Sequence, residues 1–527
     1  MTLDDDTLAG ATRGRLYLWA QELDIRGRGS MSRDELAAAL RAARPGAGPD
    51  ADPETADPET ADPDAADPDG TPATQRMSAP VSRVDSFRDL ALRRAAGEMV
   101  LLPRLLTGND RRLHVRQTLR EDHATRITRG TEETPVKFDK LARSRYSFFR
   151  GTCLLFYRDM AGEDALMPTV LALGDVHPEN FGIMPSADNV PIFGVNDFDE
   201  AYYAPFTWDL KRGATGFLVG AAEEGGLGSK RSRRAARRFV EGYVEGITEF
   251  ARSGAEADHQ IRRDNAPKLV RRLFDDAETA RRDWLVDDYH DEYGSGFRSS
   301  KKLVPVTGRR AQFQEVVDRL VAGMDLPERA GEMHVKDVAV RKGQGTASLG
   351  LDRYYVLIEG PRADATDDLI IEFKQARRSA LTGLVPPSDY RVDGAADRIA
   401  HAQNVQLVNG DIFYGSVEFD GLSFMSRERA PFRESIDVDE LDKKEWDDYA
   451  RICGRSLAHV HALSDEAGHI DHDIEPEIVA AMGPPELFVD DVLRFAEEAD
   501  DRLHRDHACF KADHALGAFR DTDRSFR

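Results

Sequence analysis

Between residues 174 and 212 the chain reads GDVHPENFG, then after a short spacer PIFGV, then NDFDEAYYAPFTWDLKR, and no other stretch restricts so strongly what it can fold into. Asp175, His177, Asn180, Asp197, Asp199 and Asp209 alternate there with apolar runs that have the character of short strands. Polar groups at this density stay unpaired inside a sheet, so the pattern predicts a loop held between two buried strands. Taken singly, each Asp or Asn reads as an ordinary turn former. Their order is more specific: GD-x-H-x-x-N, an apolar strand, D-F-D, then W-D-L. Phosphoryl transfer asks for little covalent chemistry from a protein. It needs a divalent cation against the phosphates and an acceptor oriented in line, which an Asp, an Asn and a second Asp can supply.

Those motifs resemble the catalytic and metal loops of aminoglycoside phosphotransferases and related small-molecule kinases, where HGD-x-H-x-x-N is followed by I-D-W/F-D and a D-L-A helix. Leu173 stands where that pattern has His. The resemblance implies that Asp175 orients or deprotonates the acceptor, with His177 beside it, and that Asn180 and Asp197, with Asp199 as a further ligand, hold Mg²⁺. It also implies that Asp209 braces the loop from the following helix. Arg150, before Gly151 in RYSFFRG, is expected to contact a phosphate or pin an active-site carboxylate. Phe148 and Phe149 read as core.

A length of 527 residues allows a large two-lobed core with accessory segments. A formal net charge of −23 argues against coating nucleic acid or an anionic membrane over the whole surface. The three cysteines, Cys153, Cys453 and Cys509, are too few and too scattered for a disulfide framework or a zinc cluster. The acidic start, MTLDDDTLAG, is unlike a secretory signal, and no apolar run approaches membrane-spanning length. A cytoplasmic protein with no membrane contact is the expectation.

Residues 1–44 form a separate small module. Leu16, Trp19, Ala20, Leu23 and Ile25 make a helical stripe, and SRDELAAALRAA predicts a second helix with Ser32 as N-cap and Glu35 completing a capping box. Over residues 5–44 this is similar to the helical N-terminal module of the Rho transcription terminator family, which implies contact with nucleic acid or with a protein. Residues 45–80 follow as a linker, in which ADPET, ADPET, ADPDA and ADPDG place proline every fifth position among carboxylates. Such a segment extends and repels itself and forms no core.

From residue 85 to 515 the chain reads as globular. SFRDLALRRAAGEMVLLPRLL is helical in pattern, and strand character returns at 333–361 as strand, glycine turn, strand. Gly343, Gly345, Ser348 and Gly350 supply a turn whose backbone N–H groups can approach phosphates, and Lys374, at the end of LIIEFK, can neutralise them. A helix, AADRIAHAQNVQLV, and two strands, DIFYGSVEF and LSFMSRE, come next. This is what a kinase amino-terminal lobe looks like, except that here it follows the catalytic loop. The helix DDYARICGRSLAHVHALS resembles the one that immediately precedes that loop in small-molecule kinases, yet it lies near the chain's end. The expectation is an α+β, two-lobed, protein-kinase-like fold in circular permutation: large-lobe elements over 85–330, a small-lobe sheet over 331–430, and helices completing the large lobe over 431–515. Permutation is tolerable because domain termini lie at the surface, often close together. His459 and His461 read as packing residues, with one of them available to replace the missing His before Gly174. Gln403 is a candidate partner for Lys374 in place of the usual helix Glu.

Taken together, these motifs resemble a bacterial family of uncharacterised kinase-like proteins, from which Gln375 and Gly213 depart. The function that follows is ATP- and Mg²⁺-dependent phosphotransfer to a small-molecule or protein acceptor. A non-catalytic nucleotide sensor or scaffold is the alternative. A metal-dependent phosphoesterase ranks below both, because its further D-x-H and GNH-D/E ligand segments are missing.

Overall fold

Along LIIEFKQ the residues Leu369, Ile371 and Phe373 fall on one face of an extended chain and Ile370, Glu372 and Lys374 on the other, as the two-residue period of a strand requires. In the computed structural model of the protein this segment is an interior strand of a six-stranded antiparallel sheet. The structure describes residues 33–42, 83–130, 133–280, 285, 288–291, 294–343, 349–362, 365–430, 435–466 and 468–520. The chain divides into two units, Met1–Arg83 and Val84–Arg527. In the first, the helix Arg33–Ala42 buries Ala37 and Leu40. The stripe from Leu16 to Ile25, Ser32 and the acidic pentads lie outside the described residues.

The second unit opens with helices Val84–Ala95, Gly108–Asp122, Ala124–Arg129, Glu133–Arg143, Arg145–Gly151 and Cys153–Met160. The helical pattern expected through residue 106 stops at Ala95, and Gly97 follows with φ +80°, a backbone region glycine enters without penalty. Four short strands come next: β1 (Thr169–Ala172), β2 (Phe181–Pro185), β3 (Pro191–Val195) and β4 (Tyr202–Pro205). β1 pairs antiparallel with β4, ending on Ala172 opposite Tyr202, and β2 pairs with β3, with Phe181 opposite Val195. Both the 173–180 loop and the 196–201 loop therefore run from one ladder to the other. Asn196 N–H donates to Asn180 O at 3.1 Å, so the two loops lie side by side.

Helices Phe206–Glu223, Ser229–Ser253 and Lys268–Ala280 lead to the sheet. Its strands are β5 (Leu303–Pro305), β6 (Val335–Arg341), β7 (Arg353–Ile358), β8 (Leu369–Gln375), β9 (Gly415–Phe419) and β10 (Leu422–Glu428), in the order β5-β6-β7-β8-β10-β9. The helix Arg310–Val321 lays Phe313, Val316, Val317 and Leu320 on one face, against Val338, Val356, Ile371, Phe373 and Phe424. β5 and this helix belong to the sheet's own layer, so the sheet elements begin at 303 and not at 331. A three-residue strand ending in proline is too short to show a period, which is why strand character was expected only from 333. The helix Ala396–Gln406 connects β8 to β9. Helices and antiparallel sheets together make a mixed α+β protein.

Helices Lys443–Ala462, Ile474–Met482 and Pro485–Ala515 close the chain. The first carries a capping box, Asp442 with Glu445, and crosses Ser229–Ser253 at close range. A Cβ on Gly454 would stand 1.9 Å from Phe239 O, and one on Gly242 would stand 2.2 Å from Arg451 O. Backbone cannot yield as a flexible side chain can. Gly454→Ala should therefore cost about 3 kcal/mol or more, read as a lowered midpoint of chemical unfolding.

His459 sits in the same crossing, its Nε2–H donating to Glu256 O at 2.8 Å beside Phe250 and His259. Burial, only partly offset by that hydrogen bond, lowers its pKa to about 4. The folded value lies below the ordinary 6.5, so the stability this neutral imidazole contributes is full above pH 6.5 and is lost as pH falls through 4. Between pH 7 and pH 4 the wild-type chain should lose about 1–3 kcal/mol more than His459→Gln. Parallel stability profiles of the two proteins in denaturant titrations would contradict this.

Candidate active site

Gly174 opens the 173–180 loop with φ +75°, and a Cβ there would lie 2.4 Å from Glu200 O, so only glycine fits. The loop's amides are then fixed by a side chain from the next helix. Asp209 accepts from Leu173 N–H at 2.6 Å and Gly174 N–H at 2.9 Å. His461 Nε2 lies 3.0 Å from the Asp209 carboxylate and its Nδ1 2.9 Å from Tyr243 Oη, all with the imidazole fully buried. Cys153 Sγ–H donates to Gly174 O at 3.1 Å, and Tyr449 O–H to Pro178 O at 2.7 Å. His461 thus braces the loop through Asp209, next to the position where Leu173 replaces His, while His459 faces Glu256.

Asn180 Nδ2–H donates to Asp175 O at 2.5 Å, which ties the two ends of D-x-x-x-x-N together. Asp175 itself is gripped by Arg212, whose Nε and Nη2 donate to Oδ1 at 2.9 and 2.5 Å. Arg212 is wholly buried, stacked 4.3 Å over Phe149. His177 Nε2 lies 3.8 Å from Asp175 Oδ2. Burial, with Arg150 and Arg212 nearby, holds its imidazole well below the usual value, so His177 is neutral at pH 7. Arg150 does not reach Asp175. It pairs with Glu179 of the same loop at 2.5 Å, over the ring of Tyr146. The arginine that pins Asp175 is Arg212, three residues after Asp209 in W-D-L-K-R.

Across from this loop stands Lys374, on β8. Its Nζ lies 2.5 Å from Asp199 Oδ2 and 3.7 Å from Asp197 Oδ1. Asp175, Asp197, Asp199, Glu200, Leu351, Gln375 and Arg377 line one narrow cleft. Withdrawal from water, and then Asp199, raise the pKa of Asp197 against the pull of Lys374. For Asp199, burial alone would raise the pKa, but Lys374 outweighs it and the carboxyl sits below its ordinary value. Asp197 keeps 41 % of its side chain exposed and so remains open to a cation. Among the described residues no group of three or more His, Cys, Asp or Glu side chains gathers at a metal-binding spacing. Asp197 and Asp199 are the two carboxylates of the cleft that face Lys374.

Behind Lys374 the loop carrying Asp199 is held by the helix Ala396–Gln406. Arg398 donates to Asp199 O at 2.6 Å and also bonds Ala201 O. Glu200 accepts from Ala380 N–H at 2.6 Å, and burial lifts its pKa to about 7 despite Arg377. Gln403 is buried but makes no hydrogen bond to Lys374, whose carboxylate partners come from the 196–201 loop. Of the glycine turn, Gly343 N–H meets Glu133 Oε1 at 3.2 Å and Leu349 O accepts from Arg126 Nε at 2.8 Å. Gly350 has φ +83°. Gly345 and Ser348 lie outside the described residues.

Fold and site together define a mixed α+β protein that sets two carboxylate-bearing loops against a lysine-bearing antiparallel sheet. Within that class the chain belongs to the family described as "uncharacterized protein conserved in bacteria (DUF2252)", whose profile matches residues 129–513. No curated protein and no solved structure matches it. Among the described residues no helix is long and apolar enough to cross a membrane.

Proposed function

We propose that this chain is an ATP- and Mg²⁺-dependent phosphotransferase of kinase-like fold, circularly permuted, acting in the cytoplasm on a small-molecule or protein acceptor. The observation that carries this is the convergence of Lys374 on Asp197 and Asp199, a lysine and a carboxylate loop far apart in the sequence, with Asp175 lining the same cleft as the two carboxylates. Support for permutation comes from the helix Lys443–Ala462, which braces the 173–180 loop through Tyr449 and His461 although it follows that loop in sequence.

Asp175 Oδ1 is engaged by Arg212, which leaves Oδ2 to receive the proton of an acceptor hydroxyl. That hydroxyl oxygen bonds the terminal phosphorus as the bond to the bridging oxygen breaks and the nucleoside diphosphate leaves. Lys374 would neutralise charge on the phosphates. Asp197, Asp199 and Asn180 would hold Mg²⁺, which supplies charge stabilisation on the transferring group. Residues 5–44 would serve contact with nucleic acid or protein.

The test is ADP release by the purified full-length chain with ATP, in Mg²⁺ and in chelator. Turnover should require the metal and fall at least ~10²-fold in Lys374→Met. Nucleotide binding detected by thermal shift without any turnover, across a broad panel of acceptors and with water, would favour the sensor instead.

A further inference from the structure

The helix Ala396–Gln406 ties the sheet to the carboxylate loop. At its N-terminus Ala396 N–H donates to Ser423 Oγ of β10 at 3.1 Å, and Ser416 Oγ–H of β9 donates to the Asp397 carboxylate. In the same turn Arg398 sends its guanidinium across to the loop. Nη2 donates to Asp199 O at 2.6 Å and Nη1 to Ala201 O, on either side of Glu200. Nη2 also donates to Arg377 O at 3.1 Å, in the segment that leaves β8 three residues after Lys374. One side chain thus joins the backbone that bears Asp199 to the backbone that follows Lys374.

Packing alone does not account for this arginine. Arg398 is 1 % exposed, and a cation so far from water is costly unless its donors are satisfied and opposite charge is near. Three main-chain carbonyl contacts satisfy the donors, while Glu200 and Asp199 supply the opposite charge. Bonds to carbonyls fix where a backbone sits and engage no carboxylate oxygen, so the side chains of Asp197 and Asp199 are left to face Lys374. A planar fork reaches acceptors in two segments at once, which the compact ammonium of a lysine does not match.

We propose that Arg398 is a positioning residue: by fixing the 199–201 backbone against the exit of β8, it sets the Asp197 and Asp199 carboxylates at the reach of Lys374 that metal-dependent turnover needs. This rests on the phosphotransferase reading above and names a residue on which the geometry of that site depends, although it does not itself line the cleft.

Two measurements on the full-length chain test it, each well below the unfolding midpoint of the protein used. Amide hydrogen exchange across 196–201 should quicken at least about fivefold in Arg398→Met, with exchange in Ser229–Ser253 unchanged. The Mg²⁺ concentration that gives half-maximal ADP release from ATP should rise about tenfold or more in the same variant, with Arg398→Lys in between. Ser416→Ala loosens the helix on its sheet side only, and should leave both readings within about twofold of wild type. Unchanged exchange in the loop, or a Mg²⁺ half-saturation within about twofold of wild type despite faster exchange, overturns the positioning role and leaves phosphotransfer intact. Should Arg398→Met fail to fold, Arg398→Lys decides by the same two readings. Absence of ADP release from the wild type overturns the phosphotransferase reading instead, and loop exchange alone then decides whether Arg398 holds the loop.

Discussion

Replacing Asp197 by alanine should abolish nucleotide-dependent turnover, by at least ~10³-fold, while leaving the fold in place. The two halves of this expectation have separate causes. Catalytically, Asp197 is the open member of the carboxylate pair, 41 % exposed, whereas Asp199 is closed onto Lys374 at 2.5 Å. Structurally, Asp197 is the outer partner of Lys374 at 3.7 Å while Asp199 holds that ammonium at 2.5 Å, so little is lost when Asp197 goes. The unfolding midpoint of Asp197→Ala should stay within about 1 kcal/mol of wild type. ADP release at the wild-type rate would remove the residue from the mechanism, and collapse of the fold would show that it had been structural instead.

How far the site could be read from sequence depends on whether its parts are local. Asp175, Asn180, Asp197 and Asp199 sit in two loops whose polar residues have no reason to interrupt apolar strands unless they face a cleft, and the ladders β1–β4 and β2–β3 bring those loops together. Lys374 was legible because strand alternation isolates one ammonium at the end of an apolar run. Arg212 was less so: nothing local distinguishes it from Lys211 beside it, which pairs with Glu163 and Asp164 instead. Arg398 was invisible, since its partners are backbone carbonyls of the Asp199 loop. The same limit explains Arg150, whose proximity in sequence to an acidic loop was sound, but whose partner within that loop, Glu179, only tertiary packing selects. Strand β5 escaped because three residues show no period, and the sheet's true beginning escaped with it.

The long-range contacts that sequence hides are also the ones on which stability depends most. Asp209 is fully buried and satisfies two loop amides and an imidazole at once. Asp209→Ala should therefore destabilise the chain by about 3–5 kcal/mol, because it strands the Leu173 and Gly174 N–H groups and His461 together in a dry interior. Asp209→Asn keeps the shape and one acceptor, and should cost less, about 1–3 kcal/mol. His461→Gln, which leaves both amides satisfied, should cost least of the three. Denaturant unfolding of the series measures that order directly. Should Asp209→Ala cost less than about 1 kcal/mol, the loop would be held by its ladders alone, and the helix Lys443–Ala462 would have lost its main polar tie to the loop that bears Asp175.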